Sequence, residues 1–398
     1  MIKKLNSIIA VCFFFFACSE EEMVSHNKET NDWEIEGWNI VWQDEFDKDS
    51  LDLTKWSREI GGHGWGNNEL QFYTDSDSNS YVENGNLILK AQVVPQGIGS
   101  TKGLRYYSSA RLRTYGKGDW KYGRIEVKAK VASGQGIWPA IWMLPTDWLF
   151  GGWPSSGEID IMEHVGYDLG LVHGSIHTQD YNHMYGTQKS GSKYVDDVTE
   201  AFHVYSLEWS PFYLRYLIDN EPFFFVYNDS NGDFGKWPFN DPHYLILNLA
   251  IGGDWGGVQG VSASAFPMKM YIDYVRVYKK SDTYNYVEVT FKVDMSNENI
   301  SGSGVWLSGG DLGSGQPGGI QMLQSENPNI WQTTLTLAPN SNYTYKFRNG
   351  HFPNSWQGGW ENVEDNCGFG EHNNRLVTVN STDTVLVAHC FGDCLECE

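Results

Sequence analysis

The chain has 398 residues, which fits about two domains, and 28 basic against 50 acidic residues give a formal charge of −22. A chain this acidic repels phosphate backbones, which argues against nucleic-acid binding. Aromatic residues make up 15% of the sequence and glycine contributes 43 residues, which excludes a disordered chain and favours an all-β protein. Most aromatic side chains are expected in the core. Because sugar rings stack on the remainder, the composition also favours a neutral carbohydrate ligand.

The N-terminal segment predicts export. Lys3 and Lys4 precede a ten-residue apolar run at 8–17, which is too short to span a bilayer as a helix and is typical of a signal peptide. Phe-Phe-Ala-Cys at 15–18 resembles a bacterial lipobox, so residues 1–17 are predicted to be a lipoprotein signal peptide and Cys18 the lipidated N-terminus.

The residues after Cys18 are acidic and have no periodicity. They resemble the surface-export signal of Bacteroidota lipoproteins, and residues 18–37 are predicted to form a tether. The sequence therefore predicts an outer-membrane lipoprotein exposed on the cell surface, which touches the membrane only through its lipid. Secretion without an anchor is the alternative.

Short alternating runs with Gly, Asn, Asp or Pro between them fill most of the remaining chain. In residues 123–131, Ile125, Val127 and Ala129 alternate with charged residues, which predicts a strand with one apolar face. Further strands are predicted at residues 202–209, 244–250, 270–278 and 286–295. No stretch keeps a helical period, and so many strands predict a β-sandwich or a β-barrel.

A polar break near residues 279–285 divides the strands into two groups. The sequence predicts a large β-sandwich at residues 38–280 and a small β-sandwich at residues 285–398.

Residues 157–164 hold three acids within six positions. Strict alternation places Glu158, Asp160 and Met162 on one face and leaves Glu163 in the core, where a lone carboxylate is costly. A β-bulge at Met162 would return Glu163 to the acidic face, and bulges are frequent beside active sites. Two carboxylates that flank a glycosidic bond suffice to hydrolyse it, and nearby like charge raises the pKa of the acid. A solvated acidic strand or a cation site is the alternative.

These residues resemble glycoside hydrolase family 16, in particular its laminarinase-like branch. The resemblance covers residues 38–280 and rests on six motifs in matching order: GEIDIMEHV at 157–165, GIWPAIWMLP at 136–145, GSIHT at 174–178, FHVYSLEWSP at 202–211, LNLAIGGDWGG at 247–257 and YIDYVRVY at 271–278. It implies a jelly-roll β-sandwich with a cleft on the concave sheet and hydrolysis with retention. It also implies that Glu158 is the nucleophile, Asp160 its helper and Glu163 the acid/base.

The predicted substrate cleft begins with the segment 137–142. Alternation places Trp138, Ala140 and Trp142 on one face, where the small alanine leaves space between two indoles for sugar rings. Two core tryptophans are the alternative. Further predicted sugar contacts are Asn67, Glu69 and Arg111, which match family positions, His177 on the next strand, and Trp255 in a Gly-rich loop. A structural hydrogen-bonding role is the alternative for Asn67, Arg111 and His177.

The resemblance also implies a structural calcium ion. Asp273 matches the usual side-chain ligand, and Glu45 and the carbonyl of Gly85 are further candidates, since oxygen ligands suit calcium. No cofactor is expected for catalysis.

Residues 285–398 resemble, weakly, starch-binding-type sandwich modules and a tail domain of exported Bacteroidota enzymes. Four tryptophans lie in this segment, and Trp356-Gln-Gly-Gly-Trp360 on a glycine loop is the best candidate for an exposed sugar platform. A carbohydrate-binding module and a spacer or interaction domain both remain open.

Four cysteines in the last 32 residues of an exported protein predict two disulfides. Three pairings are possible. Cys367–Cys390 with Cys394–Cys397 is favoured because each bond closes a local loop. Half of a zinc site at Cys394 and Cys397 is the alternative, although a second Cys-x-x-Cys is lacking.

Together these features predict a surface-anchored, monomeric retaining endo-glycosidase that cuts internal β-1,3 bonds of laminarin-like β-glucans, with mixed-linkage glucan as a further substrate. The same fold acting on a galactan, as an agarase, porphyranase or carrageenase, is one alternative, and the acidic charge argues against the sulfated galactans. A non-catalytic glucan-binding lipoprotein is the other, and the presence of all three acids argues against it.

Overall fold

The computed structural model describes residues 34–313, 318–352, 355–364 and 366–397. The predicted signal peptide, Cys18 and residues 18–33 of the tether lie outside the described residues, so lipidation stays a prediction. Within the described ranges, no helix combines the length and the apolar character needed to cross a membrane.

Strands dominate the described residues. In chain order they are β1 Trp38–Asp44, β2 Ser57–Arg58, β3 Gln71–Tyr73, β4 Ser80–Glu83, β5 Asn86–Ser100, β6 Gly103–Ser109, β7 Arg111–Arg113, β8 Asp119–Trp120, β9 Gly123–Lys130, β10 Ile137–Pro145, β11 Glu158–Glu163, β12 Leu171–His177, β13 Lys189–Tyr194, β14 His203–Trp209, β15 Tyr213–Ile218, β16 Glu221–Tyr227, β17 His243–Ile251, β18 Met268–Lys280, β19 Val287–Asp294, β20 Val305–Ser308, β21 Ile320–Gln321, β22 Leu323–Gln324, β23 Ile330–Leu337, β24 Ser341–Asn349, β25 Arg375–Val379, β26 Thr384–Val385 and β27 His389–Cys390. The helices in the same ranges are short: 3-10 turns at His183–Tyr185 and Ala263–Ala265, and α1 Gly310–Gly313.

Two large sheets build the first part of the chain. The ten-stranded sheet has the order β16-β15-β14-β9-β18-β5-β6-β3, with β1 beside β18 and β4 beside β5. The eight-stranded sheet has the order β13-β12-β11-β10-β17-β7-β2, with β8 beside β17. Most neighbours are antiparallel and many are distant in sequence, which is the crossover pattern of a jelly roll. The predicted all-β class and β-sandwich are confirmed.

A hydrophobic core lies between these sheets. Ile125, Val127 and Ala129 of β9 are fully buried, as their alternation predicted, and they share one cluster with Ile137 and Ile141 of β10. Because one face of the eight-stranded sheet is used for this core, its other face is left for the residues of the cleft.

Two smaller sheets follow β18. One has the order β22-β23-β19-β26 with β27 beside β19, and the other has the order β21-β20-β24-β25. Their hydrophobic cluster includes Tyr213 and Phe225 of the ten-stranded sheet. Arg215 also donates a hydrogen bond to the carbonyl of Asn342 at 3.2 Å. The tail is therefore packed directly against the large sheet, and the described residues from Gly37 onward belong to one compact unit.

The disulfides join Cys367 to Cys394 and Cys390 to Cys397, with Cα–Cα distances of 5.8 and 5.0 Å. The favoured prediction, Cys367–Cys390 with Cys394–Cys397, is wrong. A turn after Cys390 returns the chain so that the Cys390 amide donates to the Leu395 carbonyl at 2.8 Å. This turn places Cys394 beside the loop of Cys367 and returns Cys397 to Cys390, which loop length alone did not indicate.

Candidate active site

The three acids lie on β11 and a bulge brings them to one face. Asp160 pairs with Ser175 of β12 and Glu163 pairs with His173, so two residues of β11 face the single Gly174. Ile161 and Met162 are both buried in the core, whereas Asp160 and Glu163 line a cleft. The predicted bulge is confirmed, and Met162 lies in the core instead of on the acidic face because the extra residue restores the register after it.

The acids hold protons unusually tightly. Burial, together with the neighbouring charge of Asp160, raises the pKa of Glu158 to about 8. Burial also raises the pKa of Asp160 to about 8 and that of Glu163 well above its usual value, with Asp160 and Glu158 adding to the effect on Glu163. Three adjacent carboxylates cannot all be ionised in such a site, so at least one proton is retained within the group.

Indole N–H groups orient the two glutamates. Trp138 donates to Glu163 Oε1 at 3.0 Å, and Trp153 donates to Glu158 Oε2 at 2.8 Å. A donor aimed at a carboxylate favours its ionised form, and in both glutamates these bonds partly offset burial. The two side chains are thus fixed in orientation before any ligand binds.

His177 lies directly across from Glu158 in the pairing of β11 with β12. Its Nε2 is 3.4 Å from Asp160 Oδ2 and 3.9 Å from Glu158 Oε1. The structure therefore places this predicted residue against the acids themselves.

A cleft of about 450 Å³ lies over the acidic face. All predicted catalytic and sugar-binding residues line it: Glu158, Asp160, Glu163, Trp138, Trp142, Asn67, Glu69, Arg111, His177 and Trp255. Residues that are more than 180 positions apart in sequence thus meet in this cleft. Its lining combines tryptophan indoles with the three acids of β11.

Two predicted sugar contacts are engaged by the protein itself. Arg111 pairs with Glu59, and its guanidinium lies 4.6 Å from the ring centroids of both Trp65 and Trp142. Glu69 is 5% exposed and accepts hydrogen bonds from Gln71 and Tyr73. These contacts of Arg111 fit the predicted alternative, a structural role, because the guanidinium packs against two indoles of the cleft wall.

A hydrogen-bonded chain fixes the floor of the cleft. Trp142 donates to Asn248 Oδ1 at 2.6 Å, Asn248 donates to the hydroxyl of Tyr73 at 3.2 Å, and that hydroxyl donates to Glu69 at 3.2 Å. Asn248 pairs with Ala140 across β17 and β10. Sequence reasoning missed Asn248, although an amide inside the apolar run of β17 was a visible signal.

Trp255 packs edge-on against Trp138 and His173, with ring centroids 5.4 and 5.0 Å apart. Its loop is tied to the neighbouring one, since the Asp254 amide donates to the carbonyl of Asn67 at 2.8 Å. Gly253 has a φ of +78°, and a Cβ there would lie 2.9 Å from that carbonyl oxygen, so this close approach requires glycine. Two loops thereby hold Asn67 and Trp255 at the cleft.

Sequence analysis did not select Trp65, His173 or His183, which also line the cleft. Trp65 has a φ of +50° in a glycine-rich turn. Its ring lies against the guanidinium of Arg111, a contact that no local pattern reveals.

The predicted calcium ligands have cationic partners. Asp273 pairs with Lys128 at 3.0 Å, and Glu45 accepts from Arg276 at 2.8 and 2.9 Å. Gly85 lies in a turn with a φ of +72°. The donors are oxygens, but the chain's own cations engage both carboxylates, so these side chains do not fit a calcium site as they stand, and calcium here stays a prediction.

One group of ligand-type side chains in the described residues could hold a cation, namely Glu158, Asp160 and His177, whose ligand atoms lie within 4.8 Å of one another. These residues already belong to the acidic cluster of the cleft, so their proximity does not indicate a separate metal site.

Comparison with known proteins agrees with this geometry. The family model for glycosyl hydrolases family 16 matches residues 65–276. The chain belongs to this family. A beta-glucanase of Rhodothermus marinus is 48% identical over 251 residues, which covers 61% of this chain and 85% of that protein. Glucan endo-1,3-beta-glucosidase A1 of Niallia circulans is 40% identical over 281 residues, which covers 66% of this chain and 41% of that protein.

The fold of this family 16 hydrolase also matches solved structures. The laminarinase from Rhodothermus marinus is 47% identical and superimposes with a TM-score of 0.58, covering 62% of this chain and 98% of that one. The part of this chain that follows the catalytic sandwich lies outside the family match.

Proposed function

We propose that the protein is a retaining endo-glycosidase that hydrolyses internal β-1,3 bonds of laminarin-like β-glucans. The observation that carries this proposal is the bulged strand β11, which aligns Glu158, Asp160 and Glu163 under a tryptophan-lined cleft. The named relatives support the substrate class, since they include a beta-glucanase, a glucan endo-1,3-beta-glucosidase and a laminarinase.

In the proposed mechanism Glu158 attacks the anomeric carbon while Glu163 gives its proton to the leaving oxygen. The raised pKa of Glu163 suits the acid, and the Trp153 hydrogen bond favours the ionised form of Glu158, which suits the nucleophile. Water then attacks the glycosyl-enzyme, and Glu163 takes up the proton of that water.

Asp160 lies between the two glutamates, with His177 against it. The charge of Asp160 raises the pKa of both glutamates. We assign Asp160 to this supporting role and His177 to its orientation.

The charge of the cleft supports a neutral polymer. Of the lysines and arginines in the described residues, the cleft lining includes Arg111 alone, and its guanidinium is paired with Glu59. A sulfated galactan would place anionic groups beside three acids with no uncommitted guanidinium or ammonium to receive them. An enzyme of the same fold that cleaves a sulfated galactan is therefore the weaker candidate.

The test is hydrolysis of laminarin, mixed-linkage glucan, agarose and carrageenan by the full chain and by Glu158→Gln. We expect cleavage of laminarin by the wild type, a loss of at least about 10³-fold in kcat for Glu158→Gln, and the β anomer as the first product in a proton NMR time course. Glu371→Gln, an exposed acid in the tail, is the matched control. Continued cleavage by Glu158→Gln would refute the mechanism, and cleavage of a galactan without laminarin would refute the substrate.

We also propose that Cys18 anchors the protein in the outer membrane. The support is the sequence alone: a short apolar run ending in Phe-Phe-Ala-Cys and an acidic tether. Cys18→Ala should abolish incorporation of labelled fatty acid and release the protein from the membrane fraction. Equal labelling of this variant would contradict the proposal.

A further inference from the structure

The tail carries an aromatic row on the outer face of its β20–β24 sheet. Trp306 of β20 pairs with Arg348 of β24, and Arg348 forms a bridge with Trp360. Residues paired across antiparallel strands lie on the same face, so these three side chains form a row across neighbouring strands. Their neighbours Leu307 and Phe347 are buried in the core on the opposite face.

A glycine loop adds Trp356 to this row. Its ring and that of Trp360 are parallel within 10°, with centroids 6.2 Å apart, and the Trp360 indole donates to the carbonyl of Trp356 at 2.8 Å. Gly359 has a φ of +73°, and a Cβ there would lie 2.7 Å from the Asn349 carbonyl oxygen. Only glycine allows the loop to lie this close to β24.

Arg348 holds the loop in place from beneath. It is 0% exposed and donates to the carbonyls of Gly358, Ser355 and Gln357 at 2.8, 2.9 and 2.8 Å. Its guanidinium also lies 4.3 Å from the ring centroid of Trp360. A buried cation satisfied by loop carbonyls fixes the loop conformation but offers no charge to a ligand.

Trp356 is nevertheless 52% exposed. Because Trp356 is stacked with the partly exposed Trp360, the two indoles form a contiguous aromatic surface instead of a single exposed side chain. A rigid, uncharged aromatic surface suits the C–H face of a pyranose ring, and it offers nothing to an anion.

We propose that this surface, formed by Trp356 with Trp360 behind it, binds a neutral β-glucan chain outside the active site. The choice of ligand rests on the proposed function, since the polymer is the one assigned to the cleft. Bound there, the polymer is held at a second point on the same compact unit, which raises its local concentration at the acids of β11.

The experiment measures depletion of the full chain from solution by insoluble linear β-1,3-glucan. The background is Glu158→Gln with Trp142→Ala, which prevents hydrolysis and weakens binding in the cleft. Adding Trp356→Ala should weaken binding roughly 10-fold, whereas Trp356→Tyr, which keeps an aromatic ring, should lose much less. Phe369→Ala removes an aromatic of similar exposure, 53%, from the same tail and is the matched control.

Binding of the Trp356→Ala protein within twofold of its background would overturn the proposal, as would an equal loss with Phe369→Ala. Loss of binding to agarose without loss on β-1,3-glucan would overturn the assigned ligand. Thermal unfolding of each variant shows that it is folded. Hydrolysis of soluble laminarin by the wild type is a separate readout, so failure of the proposed function is distinguished from failure of this second site.

Discussion

Replacing Glu158 by glutamine should make the protein more stable while it removes activity. The carboxylate is 15% exposed and lies beside two other acids, and its pKa is raised from 4.5 to about 8. Glutamine keeps an oxygen that can accept the hydrogen bond of Trp153 and carries no charge. The substitution therefore removes a buried charge without creating a cavity.

The magnitude follows from proton binding. Between pH 4.5 and 8 the folded protein retains a proton at Glu158 that the unfolded chain has released, so folding is penalised increasingly as the pH rises. Each pH unit in this window is worth about 1.4 kcal/mol, which gives roughly 3 kcal/mol at pH 7. Partial exposure and sharing of the proton with Asp160 reduce this, and we expect a gain of about 2 kcal/mol.

The assay is thermal unfolding of wild type and Glu158→Gln at several pH values. At pH 4.5 the two proteins should unfold at nearly the same temperature, and at pH 7 the variant should unfold about 3 °C higher. The exposed acid variant Glu371→Gln should show no such pH-dependent difference. A difference that stays constant from pH 4.5 to 8, or a less stable Glu158→Gln protein at pH 8, would refute the reasoning.

Three further outcomes follow from the same contacts. Glu158 must be ionised to attack and Glu163 must be protonated to donate, so kcat/KM should first rise and then fall as the pH increases. The midpoint of the rising limb should lie above pH 4.5. A midpoint at or below pH 4.5 would contradict the raised pKa of Glu158. Trp153→Phe removes an N–H donor to Glu158, so the midpoint of the rising limb should move to a higher pH by about 0.7 units. The pH profile is measured on soluble glucan, and an unchanged midpoint would count against this hydrogen bond. Phe225→Ala leaves a cavity in the hydrophobic cluster between the large sheet and the tail, so it should lower the free energy of unfolding by about 3–4 kcal/mol. Urea unfolding measures this, and a loss below about 1 kcal/mol would show that the cluster contributes little to stability.

The sandwich was predictable because its strands carry strict alternation. Ile125, Val127 and Ala129 are buried as their spacing indicated. The opposite face of β9 was not predictable in the same way. Arg124 and Glu126 alternate with the apolar residues as solvent-facing side chains would, yet both are nearly buried and Arg124 pairs with Glu126 and Glu208. Whether such side chains are buried depends on which distant segments of the chain pack over them, and a local sequence pattern does not show this.

The active site was predictable to the extent that it is local. The cost of burying Glu163 was enough to predict the bulge from one strand. The partners of that strand were harder: His177 follows within the next strand, but Asn248 is almost one hundred positions away and reaches the cleft through the pairing of β17 with β10. The disulfides failed for a related reason, because the turn after Cys390, rather than loop length, decides which cysteine it meets.

The bulge in β11 reconciles two demands that a regular strand of this sequence could not meet together. Regular alternation would bury Glu163 and expose Met162, which loses apolar burial and leaves a carboxylate in the core. With one extra residue, Ile159, Ile161 and Met162 all reach the core, and the three acids share the other face. Those acids then repel one another and retain a proton, which destabilises the fold near neutral pH. That same retained proton is what the leaving oxygen requires, so the instability at β11 is a direct consequence of the arrangement proposed to perform the chemistry.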